Sequence, residues 1–169
     1  MTSAHGSERA GFTAIEMLVV LGIMIALGSM TVPALMPALR RARVNDAANV
    51  IISAHADARR LAISAPAPTV YGIKIDDVTI QGQTRQSIAL LRNQVPIENS
   101  ARIFNSSVLV EGASQWFYAP GTGYPTNTPG SYTWTDVALT VRSVDSTNQG
   151  KYRTAVTIYS IGIGYAQDM

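Results

Sequence analysis

The sequence predicts an α+β fold, in which a long N-terminal α-helix packs on a C-terminal antiparallel β-sheet or sandwich domain. Three observations predict it. No residue from Met17 to Leu39 is charged, and the following residues up to Ser64 carry apolar side chains at helical spacing. Beyond them the pattern changes to short β-rich runs with a period of two. The chain of 169 residues therefore provides one anchor segment and one small domain.

The first half of the helix, residues 12–39, is expected to span a membrane. Its uncharged run of roughly 23 residues would be about 35 Å long at ~1.5 Å per residue. A bilayer core of ~30 Å needs about 20 such residues. Within this run Pro33 predicts a kink, because it removes a backbone donor and crowds the preceding turn.

The second half, residues 40–65, is predicted to be amphipathic. Its apolar residues recur on one face: Val44, Ala48, Ile51, Ala54, Ala58, Leu61, Ala62 and Ala65. We expect this alanine-rich stripe to pack against the chain's own sheet. His55 borders the stripe and is predicted to lie on the helix surface. The two prolines Pro66 and Pro68 end the helix.

Residues 66–169 are predicted to form a β-rich globular domain. Strands are predicted over residues 69–75, 78–81, 87–92, 107–111, 115–119, 136–143 and 152–160, with a further candidate at 161–165. Turns are predicted at Asp76-Asp77, at Gln81-Gly82, at Glu111-Gly112 and over residues 148–150. Residues 120–130 form a long loop rich in Gly, Pro and Thr, which is the kind of loop that is either functional or mobile.

The composition of the chain excludes several kinds of functional site. The chain has no cysteine, which excludes disulfides and thiolate metal sites, and its net charge of +2 with scattered basic residues gives no reason to expect nucleic acid as a partner. Ser53, His55 and Asp57 do not form a triad, because His55 points away from the other two on a helix. We expect no catalytic residue, no enzyme activity, no cofactor and no metal site, since calcium needs several acids close together.

Aromatic residues gather around the long loop. Alternate members of the strand at 115–119 are expected in the core, and the outward ones join the loop aromatics. That set is a candidate partner patch, because aromatic side chains favour interface centres: Trp116, Tyr118, Tyr124, Tyr132 and Trp134. The alternative is that these side chains serve core and loop packing.

Glu16 is the one acid at the start of the apolar run, and its position alone allows two interpretations. A carboxylate inside a membrane is costly, so a functional role is the default hypothesis there. The other interpretation puts Glu16 at the interface, near the helix N-terminus, where the helix dipole favours a negative charge.

The residues Gly11-Phe12-Thr13-Ala14-Ile15-Glu16, the uncharged run and Pro33 together resemble the prepilin-type cleavage and methylation segment of type IV pilins and type II secretion pseudopilins. The resemblance implies a pilin-like fold, a cytoplasmic leader over residues 1–11, cleavage between Gly11 and Phe12 by prepilin peptidase, and N-methylation of Phe12. It also implies that Glu16, fifth from Phe12, serves assembly. Cleavage would leave an ammonium at Phe12, and pairing lowers the cost of burying two opposite charges.

The second half of the chain is similar to the GspH/FimT-like minor pseudopilins, on the helix over residues 45–64 and the aromatic strand with its Pro120-Gly121 turn. The family often ends in a Gly-x-Val-Arg-like turn, and Gly162-Ile163-Gly164-Tyr165 lacks that arginine. The resemblance implies a structural subunit of the type II secretion pseudopilus, single-pass in the bacterial inner membrane, with its C-terminal domain in the periplasm. Expected partners are other pilin or pseudopilin subunits through the N-terminal helix, prepilin peptidase and the inner-membrane assembly platform.

Other assignments stay open. One is a minor type IV pilin that serves adhesion, twitching or DNA uptake, and another is a signal-anchored binding domain that never assembles. A conventional signal peptide would have a shorter apolar core. Arg40, Arg41 and Arg43 follow the apolar run, and charge counting alone would keep them in the cytoplasm. We follow the motif, because it is the more specific signal, and expect that side to be exported.

Overall fold

The computed structural model describes residues 12–144 and 152–168. It divides the chain into two compact units, Met1–Ala38 and Leu39–Met169. Helix α1 is assigned over Ala14–Ser64 and supplies residues to both units. Every strand among the described residues belongs to the second unit.

The described part of the first unit is helical from Ala14 onward, and its large apolar side chains are exposed. The side chains of residues 30–34 lie outside the described residues, so the kink predicted at Pro33 stays a prediction, although the helical assignment continues through it. Over the described ranges, no helix combines the length and the apolar character that crossing a membrane requires. The span predicted from Met17 to Leu39 is therefore not supported by the described residues.

The described part of the second unit carries ten strands in two antiparallel sheets. The strands are β1 (Tyr71–Ile80), β2 (Gln83–Arg92), β3 (Val95–Pro96), β4 (Arg102–Ile103), β5 (Val108–Gly112), β6 (Gln115–Tyr118), β7 (Pro125–Thr126), β8 (Val137–Ser143), β9 (Arg153–Ile158) and β10 (Gly164–Asp168). The first sheet has the order β3-β2-β1-β6-β7, with β4 also paired to β2. The second sheet has the order β10-β9-β8-β5.

The amphipathic face of α1 packs on these sheets, as the sequence predicts. Six residues of the predicted stripe are buried: Val44, Ala48, Ile51, Ala54, Ala58 and Ala62. They share one apolar core with side chains from both sheets, including Ile73 of β1, Val141 of β8 and Val156 of β9. Small alanine side chains let the sheets approach the helix closely. Because helix and sheets share this core, the second unit has the α+β arrangement.

The β1–β2 hairpin corrects one prediction. The predicted strands at 69–75 and 78–81 form the single strand β1, and the turn predicted at Asp76-Asp77 is wrong. Both aspartates are exposed on β1, where solvent removes the cost of an acidic side chain in a strand. The turn lies at Gln81-Gly82, as also predicted, with φ angles of 50° and 76°. Positive φ at both central residues is the geometry of a type I′ hairpin turn.

The remaining strands agree with the prediction to different degrees. The bounds of strands β5, β6, β8 and β9 lie within two residues of the predicted ones. The candidate strand at 161–165 begins later, as β10 at Gly164, because Gly162 donates its N–H to Tyr159 O and closes a turn there. The turn predicted over residues 148–150 lies outside the described residues.

Candidate functional site

The predicted processing site lies at the edge of the described chain. Gly11 and the rest of the predicted leader lie outside the described residues. Phe12, the predicted new N-terminus, is described and has 76% of its surface exposed. Its side chain is therefore accessible, and nothing within the described part of this unit buries it.

Glu16 is held by the start of its own helix. Thr13 donates its backbone N–H (2.8 Å) and its hydroxyl (2.9 Å) to Glu16 Oε2, and Glu16 donates its N–H to Thr13 Oγ1 at 3.3 Å. This reciprocal arrangement is a capping box, which satisfies backbone donors that a helix leaves free at its N-terminus. The Thr-x-x-Glu spacing of Thr13 and Glu16 is a signature of that motif in the sequence, which the predictions above did not include.

The first unit exposes large apolar side chains on all sides of its helix. With Phe12, the exposed set is Ile15, Met17, Leu18, Val19, Val20, Leu21, Ile23, Met24, Ile25, Leu27, Leu35 and Met36. A helix that is apolar all round is found buried, either in a large protein core or in a membrane. Within the described residues of this unit, nothing covers this apolar surface.

The five aromatic residues of the candidate partner patch differ in burial. Trp116 and Tyr118 are 0% exposed and belong to the core, so their assignment to a partner patch is wrong. Both faces of β6 are covered, since Phe117 on the opposite face is also buried. Tyr132 and Trp134 are 63% and 53% exposed and remain available to a partner.

Tyr124 is half-buried and meets Trp134 edge-on, with ring centroids 4.6 Å apart. Edge-to-face pairs of this kind add to the stability of packed aromatic side chains. The contact between Tyr124 and Trp134 therefore gives both side chains a role in packing the loop. Tyr132 is more exposed than either of them.

His55 is buried rather than on the helix surface, which corrects the prediction. Its Nδ1 lies 2.7 Å from Tyr118 Oη, and its Nε2 lies 3.1 Å from Gly162 O. A carbonyl only accepts, so Nε2 carries the proton and Nδ1 accepts from the Tyr118 hydroxyl. Tyr118 Oη in turn accepts from Trp116 Nε1 at 2.7 Å. The chain from Trp116 through Tyr118 and His55 to Gly162 is complete.

This hydrogen-bonded chain connects α1, β6 and the β9–β10 turn inside the core. Burial lowers the pKa of His55, the hydrogen bond to Gly162 O opposes this shift, and the charge of Arg59 adds to it. Burial also raises the pKa of Tyr118. His55 is therefore neutral and Tyr118 protonated near neutral pH, and both are engaged with protein groups. Their arrangement is structural and offers no free nucleophile or base.

Three acids that lie far apart in the sequence are Asp136, Asp145 and Asp168, and the structure describes Asp136 and Asp168. Asp168 pairs with Arg41 and accepts a hydrogen bond from Thr154 at 3.2 Å. Asp136 accepts the backbone N–H of Ser160. Across residues 12–144 and 152–168, no three metal-ligating side chains form a cluster. Asp145 lies outside the described residues.

No protein-family model, curated protein or solved structure matches the chain. The resemblance to pilins and pseudopilins therefore rests on the residues themselves, above all on Gly11, Phe12 and Glu16 and on the uncharged run behind them.

Proposed function

We propose that this protein is a structural subunit, a minor pseudopilin, of the type II secretion pseudopilus. Prepilin peptidase would mature it between Gly11 and Phe12 and N-methylate Phe12. Residues 12–39 would then hold it in the bacterial inner membrane as a single-pass anchor, with the β-rich domain in the periplasm. Assembly would bring this helix against those of other subunits at the inner-membrane platform.

One observation carries this proposal: the first unit exposes an apolar surface all round its helix, with Glu16 as the acid at its start. Such a surface needs lipid before assembly and neighbouring helices after it. The span that we propose counts the whole run from Met17 to Leu39, including residues 30–34, whose side chains lie outside the described residues. The finding that no described helix suffices to cross a membrane covers only the described residues, which leave out the side chains of residues 30–34.

The state of Glu16 suggests how assembly could use it. In the isolated chain its carboxylate accepts two hydrogen bonds from Thr13, and both residues are exposed. A neighbouring subunit's N-terminal ammonium would offer a full charge in place of neutral donors, and charge-assisted hydrogen bonds are roughly twice as strong. We propose that Glu16 exchanges its capping contact for this ion pair when a subunit docks.

The second candidate is a minor type IV pilin, which the same N-terminal features support equally well. A signal-anchored domain that never assembles would need neither Glu16 nor the cleavage motif. Cross-linking separates assembly from simple anchoring, and the absence of native cysteine makes single-cysteine variants informative. Leu18 is 69% exposed on the apolar helix, whereas Gln83 is exposed at the tip of the β1–β2 hairpin and serves as the control position.

We expect Leu18→Cys to cross-link to other subunits in membranes that contain the secretion or pilus machinery, and Gln83→Cys to remain mostly monomeric. Adding Glu16→Ala to Leu18→Cys should abolish cross-linking and leave membrane association unchanged. Monomers for both cysteine variants would contradict assembly through this helix. Cross-linking that survives Glu16→Ala would contradict the role proposed for Glu16.

A further inference from the structure

A cleft lies between the C-terminal part of α1 and the β9–β10 turn, within the second unit. Its volume is about 470 Å³, and its walls include Ile52, Ile63 and Ile163 together with Arg59 and Arg60. Ile63 and Ile163 are 47% and 56% exposed. The lining contains two arginines and no acidic residue, so the cleft combines apolar walls with positive charge.

Arg59 is held in the cleft by the backbone around it. A Cβ added to Gly162 would lie 2.8 Å from Arg59 Nε, and one added to Gly123 would lie 2.8 Å from Arg59 Cγ. The Arg59 side chain therefore lies close against two glycines, and a side chain at either position would crowd it. A long, flexible side chain confined in this way has already lost much of the conformational entropy that ligand binding would otherwise cost.

The guanidinium of Arg59 has no partner among the described residues. Its Nε is buried and unbonded, and no carboxylate pairs with it. The nearby acid Asp57 is shared by Arg60 at 3.5 Å and Arg102 at 3.9 Å. A guanidinium without a counterion leaves its charge unpaired, so an anion that reached its terminal Nη groups would bind with a favourable balance.

We propose that this cleft docks an acidic segment of a partner protein, with a carboxylate on Arg59 and a neighbouring apolar side chain between Ile63 and Ile163. Because Nε is buried, the terminal Nη groups of the planar guanidinium would meet the carboxylate, and their fixed geometry can serve both of its oxygens, which a point charge cannot do. The apolar walls favour a peptide side chain over a bare inorganic anion. This proposal does not depend on assembly through the N-terminal helix.

The test uses the full chain in nonionic detergent, which covers the apolar helix. The probe is a fluorescein-labelled, end-blocked peptide of alternating leucine and glutamate. The control peptide is the same sequence with glutamine in place of glutamate. Binding is measured by fluorescence anisotropy at about 0.15 M ionic strength, where exposed charges are screened beyond ~8 Å. We expect the glutamate peptide to bind at least about tenfold more tightly than the glutamine peptide, which is ~1.4 kcal/mol.

Three variants locate the site. Arg59→Gln should lose the preference for glutamate. Ile163→Glu should also weaken the glutamate peptide about tenfold by offering Arg59 a competing carboxylate, and it changes only an exposed side chain. Arg43→Gln is the matched control on the same helix, because Arg43 is exposed and donates to Ser107 outside the cleft, and it should change nothing.

Several results would overturn the proposal. These are equal affinity for both peptides, no saturable binding up to about 1 mM, or an unchanged preference in both Arg59→Gln and Ile163→Glu. A single-stranded DNA dodecamer that bound through Arg59 as tightly as the glutamate peptide would also overturn it, by assigning the cleft to nucleic acid.

Discussion

Replacing Tyr118 with phenylalanine removes one oxygen from the core and breaks two hydrogen bonds. Trp116 Nε1, which donates to Tyr118 Oη at 2.7 Å, would lose its acceptor. His55 Nδ1, also 2.7 Å from that oxygen, would lose its donor. All three side chains are buried, at 0%, 0% and 4% exposure, so water does not readily replace the missing hydroxyl.

The expected cost follows from these two orphaned groups. Leaving a buried donor or acceptor unsatisfied costs about 1–3 kcal/mol each, so the pair gives roughly 2–6 kcal/mol. Because the two hydrogen bonds share one oxygen, their losses are not fully additive. We therefore expect Tyr118→Phe to lower the free energy of unfolding by about 3 kcal/mol, which is a large part of a typical total of ~5–15 kcal/mol.

Urea unfolding of the full chain in nonionic detergent, followed by tryptophan fluorescence, measures this loss. With a slope of about 1–3 kcal/mol per molar urea, the midpoint should fall by roughly 1–3 M. Tyr71→Phe is the matched control, because Tyr71 pairs with Tyr118 across β1 and β6 and its hydroxyl has no hydrogen-bond partner in the described structure. A loss of less than about 0.5 kcal/mol in Tyr118→Phe would refute the hydrogen-bonded chain, because that is the range of unremarkable surface changes.

Two further predictions concern the second unit. The pKa of His55 is lowered in the folded chain, so the unfolded chain takes up a proton first as the pH falls. The stability that the buried neutral histidine contributes to the folded chain is therefore full above about pH 6.5 and is lost below it. Urea midpoints measured from about pH 7.5 to 5 should fall, and His55→Gln should flatten that slope, whereas an equal slope in both proteins would contradict the buried neutral histidine. Gly72→Ala should prevent folding or cost more than about 3 kcal/mol, because the new Cβ would lie 2.7 Å from Trp116 O. Gly82→Ala should cost only about 1 kcal/mol, since it meets open space at a φ of 76°; similar urea midpoints for the two would contradict the β1–β6 packing.

Periodicity predicted the helix and most of the sheet, because those elements bury one face. The stripe from Val44 to Ala62 follows the helical repeat, and β8 alternates buried and more exposed residues along its length. The turn at Gln81-Gly82 was readable because glycine there adopts a positive φ. Asp76-Asp77 carries the same kind of turn signal, but the pairing of β1 with β2 overrides it.

The candidate sites were less predictable, because they depend on contacts between distant parts of the chain. His55 looked like a surface residue at the border of an apolar stripe, and only the approach of Tyr118 and Gly162 buries it. Trp116 and Tyr118 were assigned outward because alternation does not tell a half-covered strand from one covered on both faces. The Thr13–Glu16 capping box is the exception, since its spacing is local and could have been read directly.

The most direct test of the proposed function is the mass of the N-terminal peptide after co-expression with a prepilin peptidase, measured beside a Gly11→Val variant. We expect a mature chain that starts at methylated Phe12 and is absent from the variant. An uncleaved chain that starts at Met1, or a cut between Ala34 and Ala38, would contradict the proposed function. The protein would then be an anchored or secreted domain of a different kind.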